Sequence, residues 1–122
     1  MREKKSSVRK VAVLGATGMV GRRLASMLVD HPMFELEMVI GSDATSGLSY
    51  RSVWEEKERI LRDHYGSFWR EYPCPKLLWN MQVSPFTELL RSDCSIVFSS
   101  IPDRTGYLEE TLLQDEIGRA HV

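Results

Sequence analysis

Apolar positions in this 122-residue chain fall into short runs whose period changes repeatedly along its length. Residues 8–14 form a β-branched-rich run closed by Gly15, the pattern of a strand covered on both faces. Over 18–30, Val20, Leu24, Met27 and Leu28 recur at helical spacing, with Arg22 and Arg23 directed outward and Pro32 closing the segment. The stretch FELEMVIG places Phe34, Leu36, Met38 and Ile40 on one face with glutamates between the first three, a two-residue period that predicts a second strand ending at Gly41. After the polar loop SDATSGLSYRS, the spacing of Trp54, Leu61, Tyr65 and Phe68 predicts a helix over 53–69. The two prolines of EYPCP break it, KLLWNMQV reads as a third strand, and SPFTELL reads as a helix capped by Ser84 with Pro85 in its first turn. CSIVFSS is a fourth strand, and Asp103 caps a last helix in which Leu108 and Leu112 stand one turn apart. Strand and helix alternate with no internal repeat, which predicts an α/β fold: a parallel sheet with right-handed crossovers and helices on both faces.

The junction of the first strand and first helix, VAVLGATGMVG, carries the candidate chemistry. In a strand–turn–helix setting, Gly15 allows the tight turn, Gly18 lets backbone approach a diphosphate, and Gly21 permits close packing of helix on strand. The unpaired amides and positive end of the helix then hold the anion without a lysine. No Lys-Ser/Thr pair follows, so a nucleotide triphosphatase loop is disfavoured, and the arrangement is Rossmann-like. Its spacing is G-x-x-G-x-x-G, which still presents the Thr17 hydroxyl and the amides of Gly18, Met19 and Val20. At the end of the second strand, Ser42, Thr45 and Ser46 offer hydroxyls to an adenosine 2′-phosphate, whereas an inward Asp43 would repel one. A plain polar turn accounts for the same residues equally well.

Composition narrows the partner. A hydrophobic fraction of 43%, a charged fraction of 27% and a net charge of -1 describe one ordinary globular domain and give no electrostatic case for nucleic acid or membrane. A small-molecule dinucleotide is the expected partner. Cys74 and Cys94 lack metal-ligand spacing, and there is no secretory or membrane-length apolar segment, which points to the cytoplasm. Residues 1–10 read as a flexible basic arm and residues 11–116 as the binding domain. The final IGRAHV, residues 117–122, is the string that ATCGGAAGAGCACACGTC, part of a common sequencing adapter, encodes. The expectation is a non-native tail on an incomplete domain, truncated at its C-terminus. Such a domain would leave strand edges and helix faces uncovered, so poor solubility or self-association is expected, and a sharp monomeric light-scattering peak with cooperative melting would contradict it.

Four stretches carry a family resemblance: VAVLGATGMVG, DHPMFEL, GSDATSG and SIVFSSIP. Together they resemble the amino-terminal part of aspartate-semialdehyde dehydrogenase of the archaeal and fungal-like branch, over about the first third of a full-length member. The resemblance implies an NADP-dependent, phosphorylating aldehyde oxidoreductase that reduces aspartyl-4-phosphate on the route to lysine, methionine and threonine, and a homo-oligomer in the full-length protein. It implies that Thr17, Gly18, Met19 and Val20 form the diphosphate loop, that Ser42 and Thr45 meet the 2′-phosphate, and that Ser99 and Ser100 lie near the nicotinamide. NADP is the expected cofactor, with NAD the alternative, because Ala44 stands where that branch often has arginine. Asp103 departs from the usual small polar residue after the proline.

The nucleophile that the resemblance implies, in an Asn-Cys-Ser/Thr motif, and the acid–base histidine and substrate arginines lie beyond position 122, so no catalytic residue is expected here and the segment alone is expected to be inactive. Asp-Cys-Ser around Cys94 mimics that motif, but it enters the fourth strand at its amino end, opposite the edge where ligands bind in such sheets. Buried or structural thiols are expected at Cys94 and Cys74, a solvated or packing imidazole at His64, a helix-end position for His31, and packing roles for Trp54, Trp69 and Trp79. Other acyl-phosphate or acyl-CoA reductases, such as N-acetyl-glutamyl-phosphate or malonyl-CoA reductase, and a non-catalytic NADP-sensing module are the competing readings.

Overall fold

The computed structural model describes residues 8–101, residue 111 and residues 120–121. Strand β1 (Arg9–Leu14) leads into helix α1 (Met19–Leu28), then strand β2 (Phe34–Ile40) and helix α2 (Tyr50–Tyr65). Single 3-10 turns at Gly66–Phe68 and Lys76–Leu78 precede β3 (Val83–Ser84), α3 (Phe86–Arg91), β4 (Ile96–Ser99) and β5 (Ala120–His121). The sheet order is β3-β2-β1-β4-β5, and each neighbouring pair is parallel. β1 therefore lies at the centre, and the chain changes direction across the sheet between β3 and β4.

Alternation along β1 divides the core between the two faces of the sheet. Val11 and Val13 pack with Ala25 and Leu28 of α1 and with Tyr50, Val53 and Trp54 of α2. Ala12 and Leu14 pack with Leu89 of α3, Cys94 and Val97. Helices on both faces of a parallel sheet are what the alternating pattern predicts.

Several local expectations are corrected. Phe34 and Leu36 of β2 pack on the α1/α2 side, whereas Met38 and Ile40 pack on the α3 side. The register between β1 and β2 slips between Val11 and Ala12, so that Leu36 and Met38 oppose successive residues of β1. One extra residue exchanges the faces, which a constant two-residue period cannot represent. Helix α1 buries Gly21, Arg22, Ala25 and Leu28, while Val20 is exposed and Met27 is 70% exposed. The inward arc is thus rotated from the one expected, and Arg22, expected outside, is buried. Helix α2 starts at Tyr50, three residues before the expected start, because the Ser49 side chain accepts the Ser52 amide at its N-terminus. Phe68 lies beyond its end and is 93% exposed. KLLWNMQV supplies a 3-10 turn and only the start of a two-residue strand, since Pro75 sets up the turn and Leu78 and Trp79 are used as packing residues. Ser84 belongs to β3, and Pro85, not Ser84, occupies the N-cap of α3. Of the predicted last helix only Thr111, which is helical, is among the described residues, and its cap Asp103 lies outside them.

Candidate functional site

The loop between β1 and α1 emerges at the carboxyl edge of the central strand, beside the place where strand order reverses, which is where open parallel sheets bind ligands. Gly15 has φ +77°, a conformation that side chains rarely adopt, and a Cβ there would lie 2.7 Å from the Ser100 carbonyl oxygen at the end of β4. A Cβ at Gly21 would overlap the Gly15 carbonyl oxygen, so α1 rests directly on the loop backbone. Gly18 is different: the nearest atom to a Cβ is the Gly15 carbonyl oxygen at 3.7 Å, and the position is exposed. The first and third glycines are there for the turn and the packing, and the second leaves open space, as the motif implies.

The loop is tied down through its carbonyls. The amides of Gly15 and Ala16 both donate to the Ile40 carbonyl, at 3.1 and 2.9 Å, fastening the loop to the end of β2. The Gly15 carbonyl accepts from Ser100 Oγ at 3.2 Å, that of Ala16 from Tyr50 Oη at 2.7 Å, and that of Thr17 from Arg22 Nη1 at 2.8 Å. By contrast, the amides of Thr17, Met19, Val20 and Gly21 find no acceptor among the described residues, and Gly18 N makes only a 3.3 Å bond to the Gly15 carbonyl. The helix start is therefore an array of donors with exposed surface over Gly18, Met19 and Val20, the arrangement that holds an anion.

The loop after β2 lies against this one: a Cβ on Gly41 would meet Thr45 Oγ1 at 2.5 Å and Thr17 Cγ2 at 3.2 Å. Ser42 is exposed and its carbonyl closes the turn, accepting the Thr45 and Ser46 amides at 3.0 and 3.1 Å and their hydroxyls at 3.1 and 3.0 Å. Asp43 and Ala44 at the tip are exposed. Ser99 ends β4 and Ser100 follows it, and Ser100 N donates to the Leu14 carbonyl at 2.9 Å, so their half-buried side chains stand at the same edge as the glycines. The three predicted patches, 15–21, 42–45 and 99–100, meet at one rim.

The cysteines do not join them. Cys94 is buried against Ala12 and Leu89 before β4, at the amino edge. Cys74 is buried beneath α2, and burial, reinforced by Glu55, pushes its thiol up to about 11. His64 is exposed, and His31 Nδ1 accepts the Met33 amide at 3.0 Å beyond the end of α1. Trp54 is fully buried, and Trp69 and Trp79 are half-buried. Among the described residues no group of three or more His, Cys, Asp or Glu side chains could hold a metal. No helix among them is long and apolar enough to cross a membrane.

Sequence reasoning missed Tyr50, Arg22 and Glu58. Glu58 is 4% exposed and Arg22 3% exposed, and their side chains pair at 2.7 Å. Glu58 Oε1 also accepts the Tyr72 amide at 2.7 Å and Trp69 Nε1 at 3.2 Å, while the Arg22 guanidinium lies 5.7 Å from the Trp54 ring centroid. Burial, with Cys74 adding to it, raises the Tyr50 phenol well above its ordinary range, so this hydroxyl remains a donor. The available signal was Ser49, a residue type favoured at the N-cap, which puts Tyr50 in the first turn of the helix that follows.

The description of one family model, "Semialdehyde dehydrogenase, NAD binding domain", matches residues 10–115. The chain belongs to this family. Among its relatives, an aspartate-semialdehyde dehydrogenase of Trichophyton rubrum is 34% identical over 109 residues, covering 88% of this chain and 27% of the relative. A malonyl CoA reductase (NADP) of Metallosphaera sedula is 31% identical over 104 residues, covering 83% of this chain and 25% of the relative. The crystal structure of aspartate semialdehyde dehydrogenase with NADP from Candida albicans superposes with a TM-score of 0.70 at 28% identity, covering 94% of this chain and 29% of that one. The semialdehyde dehydrogenase NAD-binding domain thus accounts for most of this chain, which spans about a quarter of the length of these relatives. The family resemblance and the α/β fold expected from sequence are borne out.

Proposed function

We propose that this chain is the NADP-binding portion of an aspartate-semialdehyde dehydrogenase, which reduces aspartyl-4-phosphate to the semialdehyde. The observation that carries the reading is the array of amides at the start of α1 that have no acceptor among the described residues, open over Gly18, at the rim where strand order reverses. The site fits a dinucleotide: Thr17, Gly18, Met19 and Val20 hold the diphosphate, Gly15 and Gly21 shape the loop beneath it, Ser42 and Thr45 receive the adenosine 2′-phosphate, and Ser99 and Ser100 flank the nicotinamide. Bound there, the cofactor supplies the hydride. The likeness to a relative solved with NADP supports the phosphorylated form.

The segment binds and orients the cofactor but does not turn over. Both of its cysteines are buried, Cys74 with a raised pKa and Cys94 at the edge away from the site, so neither serves as the thiolate of a thioester intermediate. The similarity to a malonyl CoA reductase supports a second reading, reduction of an acyl-CoA on the same cofactor domain. Fluorescence titration with NADPH and NADH tests the cofactor assignment. Tighter NADPH binding is expected, and tighter NADH binding would refute it. Phosphate-dependent reduction of NADP with aspartate semialdehyde, assayed on the 122-residue chain, is expected to be absent, and turnover would refute the division of labour.

A further inference from the structure

Three consecutive carbonyls of the loop, at 15, 16 and 17, are each held by a side chain from a different element: Ser100 after β4, Tyr50 of α2 and Arg22 of α1. In a trans peptide the N–H points opposite to the C=O of the same unit, so holding the Ala16 carbonyl turns the Thr17 amide the other way, and holding the Thr17 carbonyl fixes the next peptide, whose Gly18 N–H closes the turn onto the Gly15 carbonyl at 3.3 Å. Those holds are themselves buried and fixed. The Tyr50 ring is fully buried and meets Trp54 edge-on at 5.6 Å. Arg22 is gripped at its other nitrogen by Glu58, whose second oxygen is taken by the Tyr72 amide and Trp69 Nε1.

We infer that Tyr50 and the Arg22–Glu58 pair are positioning residues for the dinucleotide diphosphate, acting through the peptide carbonyls of Ala16 and Thr17 and not by touching the ligand. The inference rests on the proposed cofactor reading and adds to it. A buried polar group needs a partner in any protein, so burial alone would explain a hydrogen bond to each carbonyl. What it leaves unexplained is the pattern: three successive carbonyls are each held by a side chain from a different element, two of them 34 and 85 residues away, while the neighbouring amides of Thr17, Met19 and Val20 keep no acceptor among the described residues. Preorganised donors of this kind need no reorganisation when the anion arrives.

Tyr50→Phe removes one oxygen and keeps the ring. The 122-residue chain and the variant are titrated with NADPH and, separately, with adenosine 2′-monophosphate, which carries the adenosine end without a diphosphate. Affinity for NADPH is expected to fall about tenfold while that for adenosine 2′-monophosphate stays within about twofold, because only the former uses the released amides. Arg22→Lys is the second variant: it keeps a cation for Glu58 but lacks the fork that serves Glu58 and Thr17 together, and the same selective loss is expected. Equal weakening toward both ligands, or no change toward either, would show a purely structural role and overturn the inference. If Tyr50→Phe does not fold, Arg22→Lys decides alone by the same comparison. A folded wild-type chain that does not bind NADPH would refute the cofactor reading and this inference with it, and that titration is read before any variant.

Discussion

The same methyl group placed on two loop glycines separates packing from binding. In Gly21→Ala the new carbon would overlap the Gly15 carbonyl oxygen and lie 2.8 Å from Ala16 Cα, and neither backbone atom has a rotamer to move into. Relief requires lifting α1 off the loop, which loosens Ala25 and Leu28 from the core they share with Val11 and Val13. Overpacking costs about 1–3 kcal/mol, and a backbone clash belongs at the upper end. The better helix propensity of alanine offsets up to about 1 kcal/mol, leaving a net loss of about 2 kcal/mol. That is a large share of the roughly 5–15 kcal/mol typical of a whole domain. At Gly18 the methyl stands 3.7 Å from the nearest atom on extended backbone (φ -76°), and the weaker N-capping of alanine costs about 1 kcal/mol or less. Urea unfolding at constant m-value measures both, and NADPH titration should show the Gly18→Ala loss in affinity, since its methyl shields the amides. A Gly21→Ala chain as stable as wild type, or a Gly18→Ala chain destabilised equally, would refute the assignment of packing to one glycine and open space to the other.

Glu58→Gln leaves the Arg22 guanidinium buried without its counter-charge and should lower unfolding free energy by about 3 kcal/mol in urea, because both side chains are almost fully buried. Met27→Ala should stay within about 0.5 kcal/mol of wild type in the same assay, as an exposed position does, whereas the helical pattern read from sequence would make it a core truncation. Cys74 should resist alkylation at pH 8 in the native chain and react once urea exposes it. Its thiol is raised to about 11 in the folded state, so its favourable contribution is intact below the ordinary thiol range of about 8.5 and is lost as pH rises toward 11; native-state labelling that accelerates well below that pH would contradict the burial.

Element order was legible because the period of apolar residues changes from two to 3.6 at each junction, and glycine or proline marks most of the changes. Errors arose where one local feature interrupts a period. The slip between Val11 and Ala12 moves Met38 and Ile40 to the opposite face from Phe34 and Leu36, although the sequence alternates evenly through all four. The segment after Pro75 is rich enough in apolar residues for a strand, yet a 3-10 turn uses Leu78 and Trp79 to cover the core and leaves two residues for pairing. Periodicity reports which residues are apolar, and the backbone decides which way they face.

The site divides along the same line. Its glycines lie within seven consecutive residues and declare themselves, while the side chains that hold the loop come from positions 34 residues from Ala16 and 85 residues from Gly15. Arg22 shows why such residues escape notice: a charged residue at an inward position is read as marking the outward face, and the whole helix is then rotated to suit it. Size gives a better guide than polarity here. Gly21 and Ala25 are the small residues at a four-residue spacing, and a helix that approaches a strand closely must turn its small residues toward it. Once that arc is placed inward, Arg22 is inside with it, and a buried guanidinium requires a buried carboxylate. Glu58 occupies the matching arc of α2, one turn beyond Trp54, on the face that Tyr50 and Val53 also share. The glycine spacing therefore carries the packing of the helix, the burial of the arginine and the need for its partner, in that order.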